Sequence, residues 1–270
     1  MGLQMAVENI NPVFFLDSIG SLAIVLGLII AYRKRGVTFA VLVVSAVSYF
    51  LAIGLKSVIQ HFTLGSMDAT FGYSSIPTAL YLGAQTAVLE VFGAYLFALY
   101  FRNHIRQKNA QAYGLSLAFW ENGILLGILP LISLVADYLI IASGPSSLSS
   151  LVSGELHKSS PGLFLGTFQA LPYVGYSVLE RISSLLMHFS WGFLVVSAVT
   201  FRKRLYVAIA VPMGFVDSIV PFAGILGLPL TEAVFFIIGL VALFVALVVR
   251  KNIEENNKIG GNVENTVGPK

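Results

Sequence analysis

Glu90, Glu121, His188 and Asp217 each stand inside a different long apolar run of the chain. An ionised side chain at the centre of a bilayer costs on the order of 2.5–3.5 kcal/mol even on insertion scales, so such groups persist where they are partnered or where they act. Carboxylates beside an imidazole in a water-poor cavity can activate a water molecule for attack on an amide. A carboxylate takes the proton, and the imidazole orients the water or steadies the oxyanion. Glu90 is the expected base, His188 the orienting group, and Asp217 and Glu121 the supporting carboxylates. That chemistry requires Glu90 and His188 to lie close enough to share one water. The bland alternative is a hydrogen-bonded network that only holds helices together.

Other chemistries find less support. The chain has no cysteine, which removes thiol catalysis, disulfides and cysteine metal sites. No His-Glu-x-x-His helix, Gly-x-Ser-x-Gly elbow, phosphate loop or dinucleotide fingerprint occurs. His61, His104 and His157 fall in stretches read as loops. We therefore expect no metal and no cofactor.

The elements that must position these groups follow from composition. Of the 270 residues, 57% are hydrophobic and 11% charged, where soluble domains carry roughly 25% charged residues. The expected fold is all-α, a polytopic membrane helix bundle with seven transmembrane helices. The spans read as Val13–Tyr32, Val37–Val58, Ser75–Phe101, Tyr113–Ser143, Gly175–Phe201, Leu205–Gly224 and Pro229–Val249. The fourth is long for one crossing, and Pro130 marks its bend or outer end. The stretch Pro161–Tyr173, broken by Pro172, reads as interfacial or re-entrant. Ile59–Ser74 and Gly144–Ser160 read as outer loops. Gly123 and Gly127 have the small-xxx-small spacing of closely packed membrane helices. Residues 1–253 form a single domain in this reading, and the polar residues 254–270 form a disordered tail. The first twelve residues lack the basic cluster of a signal peptide.

Charge sets the orientation. Thirteen of the 16 lysines and arginines fall at Arg33–Arg35, at Arg102, Arg106 and Lys108, at Arg202–Arg204, and from Arg250 onward. With seven crossings these all lie on one side, so the N-terminus is expected outside and the C-terminus in the cytoplasm. Only Lys56, Lys158 and Arg181 remain for the other side. Because the basic residues serve topology, the net charge of +3 implies no nucleic-acid partner. The expected setting is the cell membrane, with lipids around the bundle and another membrane protein or a substrate helix as partner.

Helical rise then gives depth. Counted from the cytoplasmic ends of the spans, Glu90 lies roughly 16 Å in, Asp217 roughly 18 Å, His188 roughly 20 Å and Glu121 roughly 12 Å. In a hydrocarbon core about 30 Å thick, the first three share the midplane. Glu180, Arg181 and Asp137 fall farther out and suit an Arg–carboxylate pairing. Asp17 and Glu232 sit one turn inside helix starts, where the helix dipole and interfacial water account for them.

The stretches Gln85–Arg102, Gln111–Asp137 and Leu185–Pro221 together resemble a known superfamily in order and spacing. It joins the type II CAAX-processing proteases, the YhfC-type glutamate intramembrane proteases and the non-catalytic Aph subunit of gamma-secretase. The resemblance implies that Glu90 is the first glutamate of a paired-glutamate motif, whose second glutamate falls at Val91 and whose arginine falls at Ala94. His188 matches the histidine of the second motif. The third motif, His-x-x-x-Asp/Asn, reads Met213-Gly-Phe-Val-Asp217, so its histidine is missing. Glu121 lies where YhfC-type proteins carry a glutamate, and their nearby histidine would fall around Leu117. Losing one oxyanion donor typically costs about 100- to 1000-fold in rate. These departures favour a degenerate member, non-catalytic or weakly active, serving as a scaffold or substrate-binding subunit. An active endopeptidase using Glu90 and His188, and a proton or solute pathway lined by the same carboxylates, are the alternatives.

Overall fold

Hydrocarbon offers backbone N–H and C=O groups no partner, so each long apolar run must satisfy them internally as a helix. The structure, a computed structural model, describes residues 9–266, with side chains described for residues 9–256. Seven helices are long and apolar enough to cross a membrane. They are α1 (Pro12–Arg35), α2 (Phe39–Phe71), α3 (Ile76–Tyr100), α4 (Gln107–Ser143), α6 (Thr167–Phe201), α7 (Arg204–Leu226) and α8 (Leu228–Asn256). A polar helix, α5 (Ser146–Ser159), joins α4 to α6. The described residues contain no strand.

Several boundaries move outward from the expected ones. Helix α2 continues through Ile59–Phe71, expected as loop, because nothing there breaks it before Gly72. Gly72 takes φ +82°, a conformation open to glycine, and its N–H closes the helix on the Asp68 carbonyl. His61 is therefore helical. Most of the second expected loop is α5, which also carries His157. Pro130 does not end α4. It follows a π-helical stretch, Phe119–Ile128, whose wider turn eases the clash between a proline ring and the preceding turn. Of the expected re-entrant stretch, only Pro161–Phe164 is a separate turn, and Pro172 lies inside α6 near its start. The last helix continues to Thr266, past the expected order boundary at residue 253, and residues 267–270 lie outside the described residues.

Helix α6 is the axis of the bundle. Its most apolar stretch is 78% buried, against 50% for α3 and less for the other spans. Small residues let its neighbours approach to backbone contact. A Cβ added at Gly114 of α4 would lie 2.6 Å from the Phe189 carbonyl oxygen and 2.8 Å from that of His188. Gly192, one turn beyond His188, meets Gly114 from the other side. Helices α3 and α7 touch in the same way, where a Cβ at Gly214 would lie 2.5 Å from Ala87 Cα. Gly127 faces Leu22 of α1, and beside it the Ser21 hydroxyl donates to the Asn122 carbonyl at 2.6 Å. Gly127 thus serves the packing of α1 on α4, while a Cβ at Gly123 would meet only Phe119 of its own helix. These two glycine crossings fix α3, α4, α6 and α7 around one level of the bundle, and the ionisable residues lie at that level.

Candidate active site

Three of the four expected residues stand on helical turns that depart from α geometry. Glu90 lies in a π-helical stretch of α3, Thr86–Phe92. Glu121 lies in the π-helical stretch of α4, and Asp217 in the 3₁₀ stretch of α7, Val211–Phe222. A π turn inserts an extra residue per hydrogen-bonded ring and re-aims the side chains it carries, and such turns are frequent at functional sites. His188 sits on regular α-helix, held by the Gly114–Gly192 crossing. Glu121 does not lie shallower than the rest. The α-helical part of α4 begins at Ala110 rather than Tyr113, which adds about 4.5 Å of depth at the helical rise.

The four side chains converge. His188 Nε2 lies 3.1 Å from Glu121 Oε2 and 3.9 Å from Glu90 Oε2. A water at hydrogen-bond distance from both Glu90 Oε2 and His188 Nε2 fits across the second separation, so the condition for a shared water is met. His188 Nδ1 lies 3.0 Å from the Ser184 carbonyl oxygen. A carbonyl only accepts, so this contact puts a proton on Nδ1. Nε2 forms no hydrogen bond of good geometry among the described residues. The Ser184 hydroxyl donates to Glu121 Oε2 at 3.0 Å and so ties the carboxylate to the helix that carries the imidazole. Trp191 and Tyr49 wall the ring, with centroids 4.4 Å and 6.1 Å from it.

One residue outside the expected set proves central. Lys56, expected on the outer side, has its ammonium among the carboxylates. Nζ is 2.8 Å from Glu90 Oε1, 2.7 Å from Asp217 Oδ2 and 2.6 Å from Thr86 Oγ1. All three ammonium protons are thereby used. Thr86 passes its own hydroxyl proton to Asp217 Oδ2 at 2.6 Å. The error came from ending the second span at Val58. Helix α2 runs thirteen residues farther, and helical side chains lean toward the N-terminus of their helix, which carries Nζ inward. A lysine inside an apolar run signals function by the same rule that singled out the carboxylates.

Glu232 is not at a solvated helix start either. It is only 3% exposed, and its Oε2 accepts no hydrogen bond among the described residues. Arg181 pairs with Glu180 at 2.6 Å, as expected of a charge in that region, and Asp17 accepts a 2.6 Å bond from Ser177. A cavity of about 320 Å³ joins Glu232 and Glu180 to the convergent residues. Lys56, Glu90, Glu121, His188 and Asp217 line it, as do Glu180 and Glu232.

The positions where motif groups are missing are filled by packing. Val91 and Ala94 are fully buried in the main core, and Met213 packs against it. Leu117 belongs to the same core. None of the four carries a group that titrates or donates.

The donor set does not suit a metal ion. Among the described residues no three His, Cys, Asp or Glu side chains are arranged to hold one. The place between Glu90 and Asp217 where a cation would sit is taken by the Lys56 ammonium. His188 offers the site one nitrogen, and its other ring nitrogen is committed to the Ser184 carbonyl.

No curated protein and no solved structure matches the chain. The family model described as YhfC intramembrane metalloprotease matches residues 20–222, which takes in every residue of the convergent site, four of the seven spans whole and most of α1 and α7. The chain belongs to the YhfC intramembrane metalloprotease family.

Proposed function

We propose that this multi-pass membrane protein is an intramembrane endopeptidase that hydrolyses peptide bonds without a metal. The observation that carries the reading is the convergence of Glu90 and Glu121 on His188 Nε2 at the wall of a buried cavity. Lys56 engages Glu90 Oε1 and leaves Oε2 to face the imidazole. Oε2 takes a proton from the bound water as its oxygen adds to the scissile carbonyl carbon. Glu121 supports the imidazolium form of His188, whose Nε2 proton goes to the departing amine as the carbon–nitrogen bond breaks. Glu90 then returns its proton to the imidazole, and the net change is addition of one water across the amide. Met213 cannot serve the oxyanion. The Trp191 indole N–H lines the same cavity and is buried without a partner among the described residues, so we assign it that role. The membrane orientation in this reading has the N-terminus outside and the C-terminus in the cytoplasm.

The test is cleavage of a transmembrane reporter by purified protein in liposomes. Wild-type protein is expected to cut, and Glu90→Gln, Glu121→Gln and His188→Ala to abolish cutting. Cleavage that survives all three substitutions would remove the site from the mechanism. One observation favours a second reading, a non-catalytic scaffold: Val91, Ala94 and Met213 are absorbed into the core where the resemblance calls for polar groups. It predicts no cleavage of any reporter and a membrane protein that co-purifies in fixed ratio after gentle extraction.

A further inference from the structure

The cavity is over-supplied with negative groups. Its wall carries Glu90, Glu121, Glu180, Asp217 and Glu232, and the cations in contact with them are Lys56 and Arg181. Lys56 is committed to Glu90 and Asp217, and Arg181 to Glu180. Glu121 is held by the Ser184 hydroxyl and His188 Nε2, and Glu232 is left without any partner among the described residues. It is 97% buried by its 3% exposure, lines the cavity, and presents an Oε2 that accepts no hydrogen bond from any described residue. A buried carboxylate oxygen without a donor is costly, and so marks a place where a ligand supplies one.

We propose that Glu232 is the receptor for a cationic group, a primary ammonium or guanidinium carried by a lysine or arginine of the substrate segment. This deepens the hydrolytic reading by naming a feature of its substrate, and rests on that reading only for calling the occupant a substrate. Geometry sets the register. Along α6 the cavity wall runs from His188 to Glu180, which shares the cavity with Glu232, and those eight residues span roughly 12 Å at the helical rise. An extended chain advances about 3.3 Å per residue, so the basic residue falls within about four residues of the bond presented to His188. Val220, Ala223, Leu228 and Phe235 line the same cavity and offer apolar surface for the methylene stem of such a side chain. An anionic group would be repelled by the same surplus of carboxylates, and a neutral donor would satisfy Oε2 without balancing its charge.

The test is binding, so it stands apart from cleavage. Fluorescent transmembrane peptides that differ only in one lysine or one norleucine are titrated against purified full-length protein in nanodiscs. The lysine peptide is expected to bind at least about 30-fold more tightly, the size usual for a buried charge pair. Glu232→Gln is expected to erase the difference, and Glu232→Asp to keep part of it. Dodecylamine and dodecanol form a second arm. Competition by the amine alone, lost in Glu232→Gln while the two peptides bind equally, would keep the cation site but assign it to a free amphiphilic amine. Equal binding of both peptides and no preference for the amine would overturn the proposal, as would discrimination that survives Glu232→Gln. If Glu232→Gln does not fold, the wild-type comparison still decides. Neither result depends on whether the protein cuts.

Discussion

Lys56 gives the sharpest test of the site. Replacing it by methionine keeps the stem and removes the ammonium, leaving Glu90 and Asp217 facing each other across the gap it filled. Side-chain exposures of 14% for Lys56 and 8% for Glu90 make that pair a buried one, while Asp217, at 27%, can regain some water. Removing one partner of a buried pair costs about 3–5 kcal/mol, because the other charge stays behind uncompensated. With Asp217 partly rehydrated, the lower end applies, about 3 kcal/mol. At about 2–4 °C per kcal/mol, a value set on soluble domains of 150–250 residues, melting falls by about 6–12 °C. Thermal unfolding in detergent, followed by the fluorescence of Trp120 and Trp191, measures it. The companion variant K56M/E90Q/D217N removes the charges together. Replacing a whole buried ion cluster by neutral groups of similar shape is near neutral or stabilising, so this variant should recover at least half of the loss. A Lys56→Met protein that melts within about 2 °C of wild type would refute the reasoning, because that is the behaviour of a solvated surface pair.

Three other outcomes are expected. Trp191→Phe keeps the ring packed against His188 and removes only the indole N–H, so cleavage should fall about 100- to 1000-fold with binding of the lysine peptide unchanged; an unaltered rate would return the oxyanion role to another donor. Zinc chelators such as phenanthroline should leave both melting and cleavage unchanged, and loss of activity restored by zinc would overturn the metal-independent reading. Gly114→Val inserts side-chain atoms where the Phe189 and His188 carbonyls approach within 2.6–2.8 Å of a Cβ. It should cost about 1–3 kcal/mol of stability, read by thermal unfolding, and cleavage should fall further than the unfolded fraction explains, since it spreads the helices that hold His188.

The helix count and the residues of the polar layer were legible because both follow from one strong signal, the cost of polarity in hydrocarbon. Glu90, Glu121, His188 and Asp217 were found that way, and the structure brings all four to one cavity. What was illegible has a common physical source. Spans were read as just long enough to cross, so α2 was cut at Val58 and Lys56 was handed to the outer surface. No hydropathy pattern marks a π turn, so the re-aiming of Glu90 and Glu121 could not be foreseen. Glu232 was read from its distance to a helix start. Its burial depends on α6 and α7 packing over it, which a linear sequence does not display.

The missing motif groups also look different once Lys56 is placed. By resemblance, an arginine one turn past Glu90 should stand at Ala94, and a second glutamate at Val91. Both positions point into the core, and Tyr113 closes the space by donating its hydroxyl to the Ala94 carbonyl at 3.1 Å. A guanidinium at Ala94 would have neither room nor partner. The positive charge that Glu90 needs comes instead from α2, and its second carboxylate neighbours come from α4 and α7. Glu90 thus has a positive partner and carboxylate neighbours, supplied here by other helices than the resemblance implies. A site losing its function would be expected to shed the costly charges first, because each stray ion in the bilayer interior is penalised with nothing to oppose it. Here the charges persist, and every proton of the compensating ammonium has an acceptor. What that network leaves open carries the argument: Glu90 Oε2 and Glu121 Oε2 face His188 Nε2 at the cavity wall, and Nε2 has no hydrogen-bond partner among the described residues, which a purely structural network would not leave so.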